Sequence, residues 1–479
     1  MPYSYPQILT SQIDGEWIAR GNRSARAVIN PSTGETLGEV SEVTTDDLDR
    51  ALEAAEKGWH EWRAKDVETR GALLHKVADI LRERADTIAH ALAMEQGKPI
   101  EQARNEVRAA TRFFDIHPEE AKRAYGRLLV RPQGQRSSVT YEPVGPCVGF
   151  APWNFPIYNV ARKIAPALAA GCSIISKPAE ETPASAILLQ QAIIDAGIPA
   201  NASQLVFGDP DLISRHLIAS DIIRKISFTG SVPVGKHLMK LAADGMKRTT
   251  MELGGHAPVL VFDDADLERT LELIVPGKFR NSGQVCVSPT RFYVQEGIYD
   301  KFVKGFTEFT DKNIKVGNAL DATTKMGPLA NGRRIPAVGD LVDDAVKQGA
   351  RATTGGEQLD KAGYYYAPTV LADVPESARI MNEEPFGPVA MMHRFKDMDE
   401  AIHHANRLPF GLASYVFTEN GRTAMLAADK IEAGMVAVNS ATISTGDSPF
   451  GGVKESGHGL EDGPEGLKAF MVSKTIHMM

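Results

Sequence analysis

Cys286 stands in FRNSGQVCVSP, Phe279 to Pro289, among glycine, glutamine and serine. A thiol in such a polar, flexible stretch suits a nucleophile. The thiolate can attack an electrophilic carbon while the cysteine's own main-chain N–H donates to the oxyanion that forms. Cys147 (VGPCVGF) and Cys172 (AAGCSII) lie in apolar strand-like runs and read as core thiols. Glu252, in ELGGHAP, lies 34 positions before Cys286 with two glycines after Leu253. A carboxylate at a sheet edge with that freedom is a candidate general base, and the alternative is a turn carboxylate. In PWNFP, Pro152–Pro156, Asn154 is a stiff amide between prolines. It fits an oxyanion donor or a helix N-cap.

Two further stretches could hold a ligand. The strand RKISFTG runs into SVPVGKH, so Gly230 and Ser231 precede a helix whose free N–H groups could face an anion. A plain tight turn is the alternative. KPAEETP follows the strand CSIISK, which puts Lys177 and Glu180 where ribose hydroxyls are held in α/β sheets, unless this is a solvated charged loop. Arg280 precedes Cys286 by six residues, about 9 Å in a helix and about 20 Å if extended, within reach of the far end of a short substrate. Arg162, in IYNVARK, could join it. Two guanidinium groups in one pocket favour a carboxylate, unless they pair with local acids.

The elements that position these residues follow from the pattern. At 479 residues the chain exceeds one hydrophobic core. Long helical patterns lead to a hairpin at 127–146, and from Cys147 short apolar strands alternate with helices, implying parallel sheets covered on both faces. A helix is expected over Asp266 to Asn281. The ending FMVSKTIHMM reads as a strand without a local partner, so it should pair elsewhere or across subunits. A net charge of −8 without a basic cluster argues against nucleic acid or an anionic membrane as partner. The N-terminus lacks a secretory pattern, and no apolar run is long enough to span a bilayer. Three sparse cysteines form neither a disulfide framework nor a zinc site, which points to a reducing cytoplasm and no metal.

PWNFP, KPAEETP, FTGSVPVG, MELGG, GQVC, EEPFGP and PFGGVKESG occur in this order along nearly the whole chain. Together they resemble the NAD(P)-dependent aldehyde dehydrogenase superfamily. The resemblance implies an α/β fold with two parallel-sheet, Rossmann-like domains and a small β oligomerisation arm. An NAD-binding domain would comprise 1–126 and 147–252, a catalytic domain 253–445, and the arm 127–146 and 466–479. It makes Cys286 the nucleophile, Glu252 the base that activates water, and Asn154 the oxyanion donor beside the Cys286 N–H. Trp153, Lys177, Glu180, Gly230, Ser231, Leu253, Glu384 and Phe386 would line the cofactor site. Glu180 beside the ribose penalises a 2′-phosphate, so NAD is expected rather than NADP. A base at Glu252 favours hydrolysis over transfer to coenzyme A, and its retention with Cys286 argues against a non-catalytic scaffold. The partners expected are a small-molecule aldehyde and further copies of the chain, as a homodimer or homotetramer.

Arginines at positions 162 and 280 are similar to those of the succinate-semialdehyde dehydrogenase branch, with LPFGLASYVF and GDPDLISRHLI closer to the 2-oxoglutarate-semialdehyde group. The substrate implied is a succinate, glutarate or 2-oxoglutarate semialdehyde, oxidised through a thiohemiacetal and thioester. An uncharged aliphatic or aromatic aldehyde is the alternative. Two departures stand out: His256 replaces an asparagine, and GHGLED replaces the usual G-x-GRE ending after ESG. Both are expected to bear on loop packing and subfamily without touching nucleophile or base. Ser288, a cysteine in some relatives with a redox switch, leaves no neighbouring thiol for Cys286.

Overall fold

Two mixed, largely parallel sheets carry the chain in the computed structural model, which describes residues 4–479. The first runs, edge to edge, Glu16–Trp17, Gln12–Ile13, Ser203–Leu205, Ile174–Lys177, Cys147–Phe150, Lys225–Gly230, Arg248–Leu253 and Gly457–His458. Its five central strands are parallel. IISK shows no apolar–polar alternation because all four residues are buried. That is the pattern of a strand covered on both faces. One cover is the helix Pro156–Ala170, in which only Tyr158 is not fully buried. Trp62, fully buried on the helix Thr45–Arg63, donates its indole N–H to the carbonyl of Leu168 on that same cover.

The second sheet runs Arg351–Thr354, Thr369–Ala372, Val389–Phe395, Pro289–Gln295, Ala257–Val261, Ala413–Phe417 and Met435–Val438. Only its first pair is antiparallel. The helix that starts beyond the N-cap Asp266 spans Leu267–Phe279. It stops two residues before the expected Asn281, because the chain turns left-handed there.

The terminal strand Met471–Met478 pairs with Arg136–Pro143 of the early hairpin in the same chain, and Arg127–Leu129 lies on the other side. Its missing partner is therefore intrachain. This small sheet leaves Leu128 and Val130 exposed. Among the described residues no helix is long and apolar enough to cross a membrane.

Register is what gathers the motifs. Phe150 lies opposite both Lys177 and Phe228, Thr229 opposite Glu252, and Gly230 opposite Leu253. The segments PWNFP, KPAEE, GSVP and GGHA thus leave the first sheet at one carboxyl edge, where open α/β sheets hold ligands.

Candidate active site

The stretch before Cys286 is neither flexible nor exposed. Asn281 and Ser282 adopt φ of 49° and 55°, and Gly283 follows at 71°. Left-handed non-glycine residues of this kind cost on the order of 1–3 kcal/mol each and persist where the surroundings over-determine them. Here they do. The Asn281 amide nitrogen donates to the main-chain carbonyl of Asn154 at 2.8 Å, and its backbone N–H donates to Gln102 at 2.8 Å. Ser282 donates to the Gly327 carbonyl at 2.8 Å. The buried Gln284 side chain donates to the Asn281 carbonyl and accepts from the Ala330 N–H. A Cβ on Gly283 would lie 2.0 Å from the Gly387 carbonyl oxygen, so glycine is the residue that fits under the EEPFGP loop.

Cys286 itself is half-buried, and its side chain meets the carboxyl of Glu252. Burial pushes the thiol well above its ordinary range, reinforced by Glu252 and Glu384 and opposed by Arg162. Burial also lifts Glu252 to about 8, with Glu461 adding to the rise and Arg162 and Lys163 resisting it. One Glu252 oxygen, buried and without a hydrogen-bond partner, remains free to accept a proton. A carboxyl held near neutral pH beside a thiol is poised for base catalysis.

Asn154 is fixed from several sides. Its carbonyl accepts from Lys98 Nζ at 2.8 Å as well as from Asn281, and its amide nitrogen donates to the Gln284 carbonyl at 3.1 Å. The amide oxygen accepts from Asn159 at 3.3 Å. That leaves the amide's second N–H without a partner among the described residues. Asn154 is not the helix N-cap, a position held by Phe155. Lys98, paired with Glu106 in the interior, is a positioning group that sequence reading missed. Its contact spans 56 residues and has no local signature.

Arg162 and Arg280 behave differently. Arg280 is exposed, its guanidinium 5.4 Å from the centre of the Phe155 ring. Among the described residues no carboxylate pairs with it at ion-pair distance. Arg162 is buried and donates to Asp462 at 2.7 Å and to the Tyr158 hydroxyl at 2.8 Å. Its guanidinium lies over Phe450 and Tyr158, at 4.1 and 4.5 Å. Arg162 thus has the local acid partner that was the alternative reading, while its Nε has no partner among the described residues. Next to it, Lys163 donates to Glu461 and Thr229, both at 2.7 Å. Burial would raise Glu461, but Lys163 and Arg162 hold it below the usual carboxylate range. The GHGLED loop thus reaches Glu252, whose strand it pairs with, and Arg162, contrary to the expectation that it does not touch Glu252. His256, the other departure, is structural: it is buried between Thr290 and the Ile380 carbonyl, at 2.8 and 2.9 Å.

Along the carboxyl edge, Lys177 and Glu180 form a buried ion pair at 2.6 Å, and Glu180 also accepts from the Gly208 N–H. The helix Val232–Asp244 begins after Ser231 without a side-chain cap, leaving its first amides for an anion. Trp153 and Phe386 meet edge to face at 5.5 Å. Burial raises Glu384 to about 8 despite the Gly255 N–H, and a Cβ on Gly254 would strike its carboxylate at 2.5 Å. Leu253 closes the strand below, buried. This donor set fits a nicotinamide dinucleotide, whose ribose Lys177 and Glu180 would hold and whose pyrophosphate the free helix amides would hold.

Residues 17–476 match the model of the Aldehyde dehydrogenase family. The chain is 45% identical to a 4-(hydroxymethyl)benzenesulfonate dehydrogenase of Comamonas testosteroni, over 99% of this chain and 98% of that one. It is 40% identical to a glutarate-semialdehyde dehydrogenase of Pseudomonas putida, over 97% and 96%. The crystal structure of succinate-semialdehyde dehydrogenase from Burkholderia pseudomallei superposes with a TM-score of 0.96 at 39% identity, covering 100% and 99% of the two chains.

Two outcomes follow from the geometry. Gly283→Ala should lower kcat by about 100-fold with the fold retained by circular dichroism, because it displaces the nucleophile loop by an atom's width. Near-normal kcat would contradict the rigid-loop account. The working form of Glu252 is the carboxylate, and at about 8 it is mostly protonated at neutral pH. Turnover should therefore fall about tenfold per pH unit below that value and level off above it. A flat kcat profile from mildly acid to mildly alkaline pH would contradict this.

Proposed function

The chain belongs to the aldehyde dehydrogenase family, and we propose that within it this protein oxidises small aldehydes bearing an anionic group, acid semialdehydes foremost. The observation that carries this reading is Arg280, an exposed guanidinium without an acid partner among the described residues, six residues before Cys286. The relatives' names support it, since one is named for a benzenesulfonate and others for glutarate and succinate semialdehydes. A carboxylate or sulfonate is the natural bidentate partner of such a group.

The chemistry uses the residues in order. The Cys286 thiol loses its proton to solvent, and the thiolate attacks the aldehyde carbon to give a thiohemiacetal. Its oxyanion is held by the Asn154 amide and the Cys286 N–H, and loss of one such donor costs about 2.7–4 kcal/mol of barrier. A bound nicotinamide dinucleotide supplies the hydride acceptor, leaving a thioester on Cys286. Glu252 then draws a proton from water, the hydroxide adds to the thioester carbon, the C–S bond breaks to release the carboxylic acid and the Cys286 thiolate, and Glu252 returns its proton to solvent. Glu180, with its carboxylate beside Lys177, favours a ribose hydroxyl over a 2′-phosphate, hence NAD over NADP.

The test compares wild type and Arg280→Gln on succinate, glutarate and 2-oxoglutarate semialdehydes, 4-sulfobenzaldehyde and butanal, each with NAD and NADP. Loss of a charged hydrogen-bond partner should raise KM for the anionic aldehydes about tenfold or more, with butanal nearly unchanged. Equal effects on charged and neutral aldehydes would remove the anion reading, and comparable kcat/KM with NADP would remove the NAD preference.

A further inference from the structure

We propose that Asp462 is a positioning residue that sets the charge preference of the substrate pocket by holding Arg162 in an internal ion pair. The inference rests on the reading of the site as a pocket for anionic aldehydes. It adds that only one of the two arginines, Arg280, is free to receive the anion.

Asp462 is fully buried, and one of its oxygens receives both Arg162, at 2.7 Å, and the Ser444 hydroxyl, at 3.3 Å. Its other oxygen has no partner among the described residues. The residue adopts φ 60° and ψ 168°, a region otherwise almost confined to glycine. An acidic side chain therefore occupies a backbone position that disfavours any side chain, and its one strong contact is with the arginine. Glu461 does not duplicate the role. It stands 3.8 Å from Arg162 and is engaged by Lys163 at 2.7 Å and Ser227 at 3.2 Å.

Arg162 is close enough to the reactive centre to act on the charges of both Cys286 and Glu252. Tyr158 links the two arginines' surroundings, stacking under Arg162 and meeting the Phe155 ring that carries Arg280. Without Asp462, the Arg162 guanidinium would offer a second bidentate site for an anion. With it, Arg162 and Asp462 are neutral as a pair and present no net charge to the substrate. The class favoured is an aldehyde whose single anion reaches Arg280, at the expense of short substrates that need two guanidinium groups.

The test uses Asp462→Asn, which keeps the shape, and Asp462→Gly, which suits the backbone, assayed with succinate semialdehyde and butanal. Release of Arg162 should lower KM for succinate semialdehyde about tenfold in both variants, the effect of one charged hydrogen bond, while butanal moves less than about twofold. Adding Arg162→Gln to Asp462→Asn should cancel the gain. Equal changes for both aldehydes, no change, or a gain that survives Arg162→Gln would overturn the proposal. Arg280→Gln run alongside separates the two ideas. If it fails to discriminate charge while the Asp462 variants do, the Arg280 reading falls and the Asp462 inference stands.

Discussion

The main-chain carbonyl of Asn154 receives two donors, Lys98 Nζ and the Asn281 amide, each at 2.8 Å. The rest of the site depends on this joint. It ties the turn that follows Phe150 in the first sheet to the loop that precedes Pro289 in the second. The side chain of the same asparagine then donates to the Gln284 carbonyl, two residues before the nucleophile. The Asn154 amide, the proposed oxyanion donor, and the Cys286 loop are thereby fixed relative to one another by protein contacts. Catalysis by a preorganised donor requires that rigidity. The arrangement is costly, since two buried charges, Lys98 and Glu106, must be satisfied by each other to supply one of the two donors.

Electrostatics around the base extend the same logic. Glu252, Glu384 and the Cys286 thiol all sit in surroundings that resist ionisation. Arg162 and Lys163 partly relieve this, and Glu461 and Asp462 in turn neutralise those cations. The ionised groups around Glu252 are thus nearly balanced, two acids against two cations. Arg280 stands outside that balance on the exposed side.

Much of the fold and of the site could be read from the residues. Motifs rich in glycine and proline mark close approaches, and Gly254 and Gly283 are glycines for reasons now visible as a carboxylate at 2.5 Å and a carbonyl at 2.0 Å. Short strands without alternation announced sheets covered on both faces, and the hairpin was placed within a few residues. Other features were not legible. The left-handed turn at Asn281 and Ser282 has no pattern of its own, so the loop read as flexible and the helix as two residues too long. Lys98 acts on Asn154 across 56 residues and Asp462 on Arg162 across 300, and no local spacing encodes such contacts. Nor does any spacing show that Arg162 pairs with a buried acid while Arg280 stays exposed.

The central claim is that Cys286 carries the acyl group and Glu252 releases it. Glu252→Gln, mixed with NAD and succinate semialdehyde and quenched in acid, should accumulate a thioester on the peptide Asn281–Arg291, seen by mass spectrometry as an added succinyl group on Cys286. Absence of any adduct there while reduced cofactor still forms, or an adduct on Cys147 or Cys172, would contradict the account.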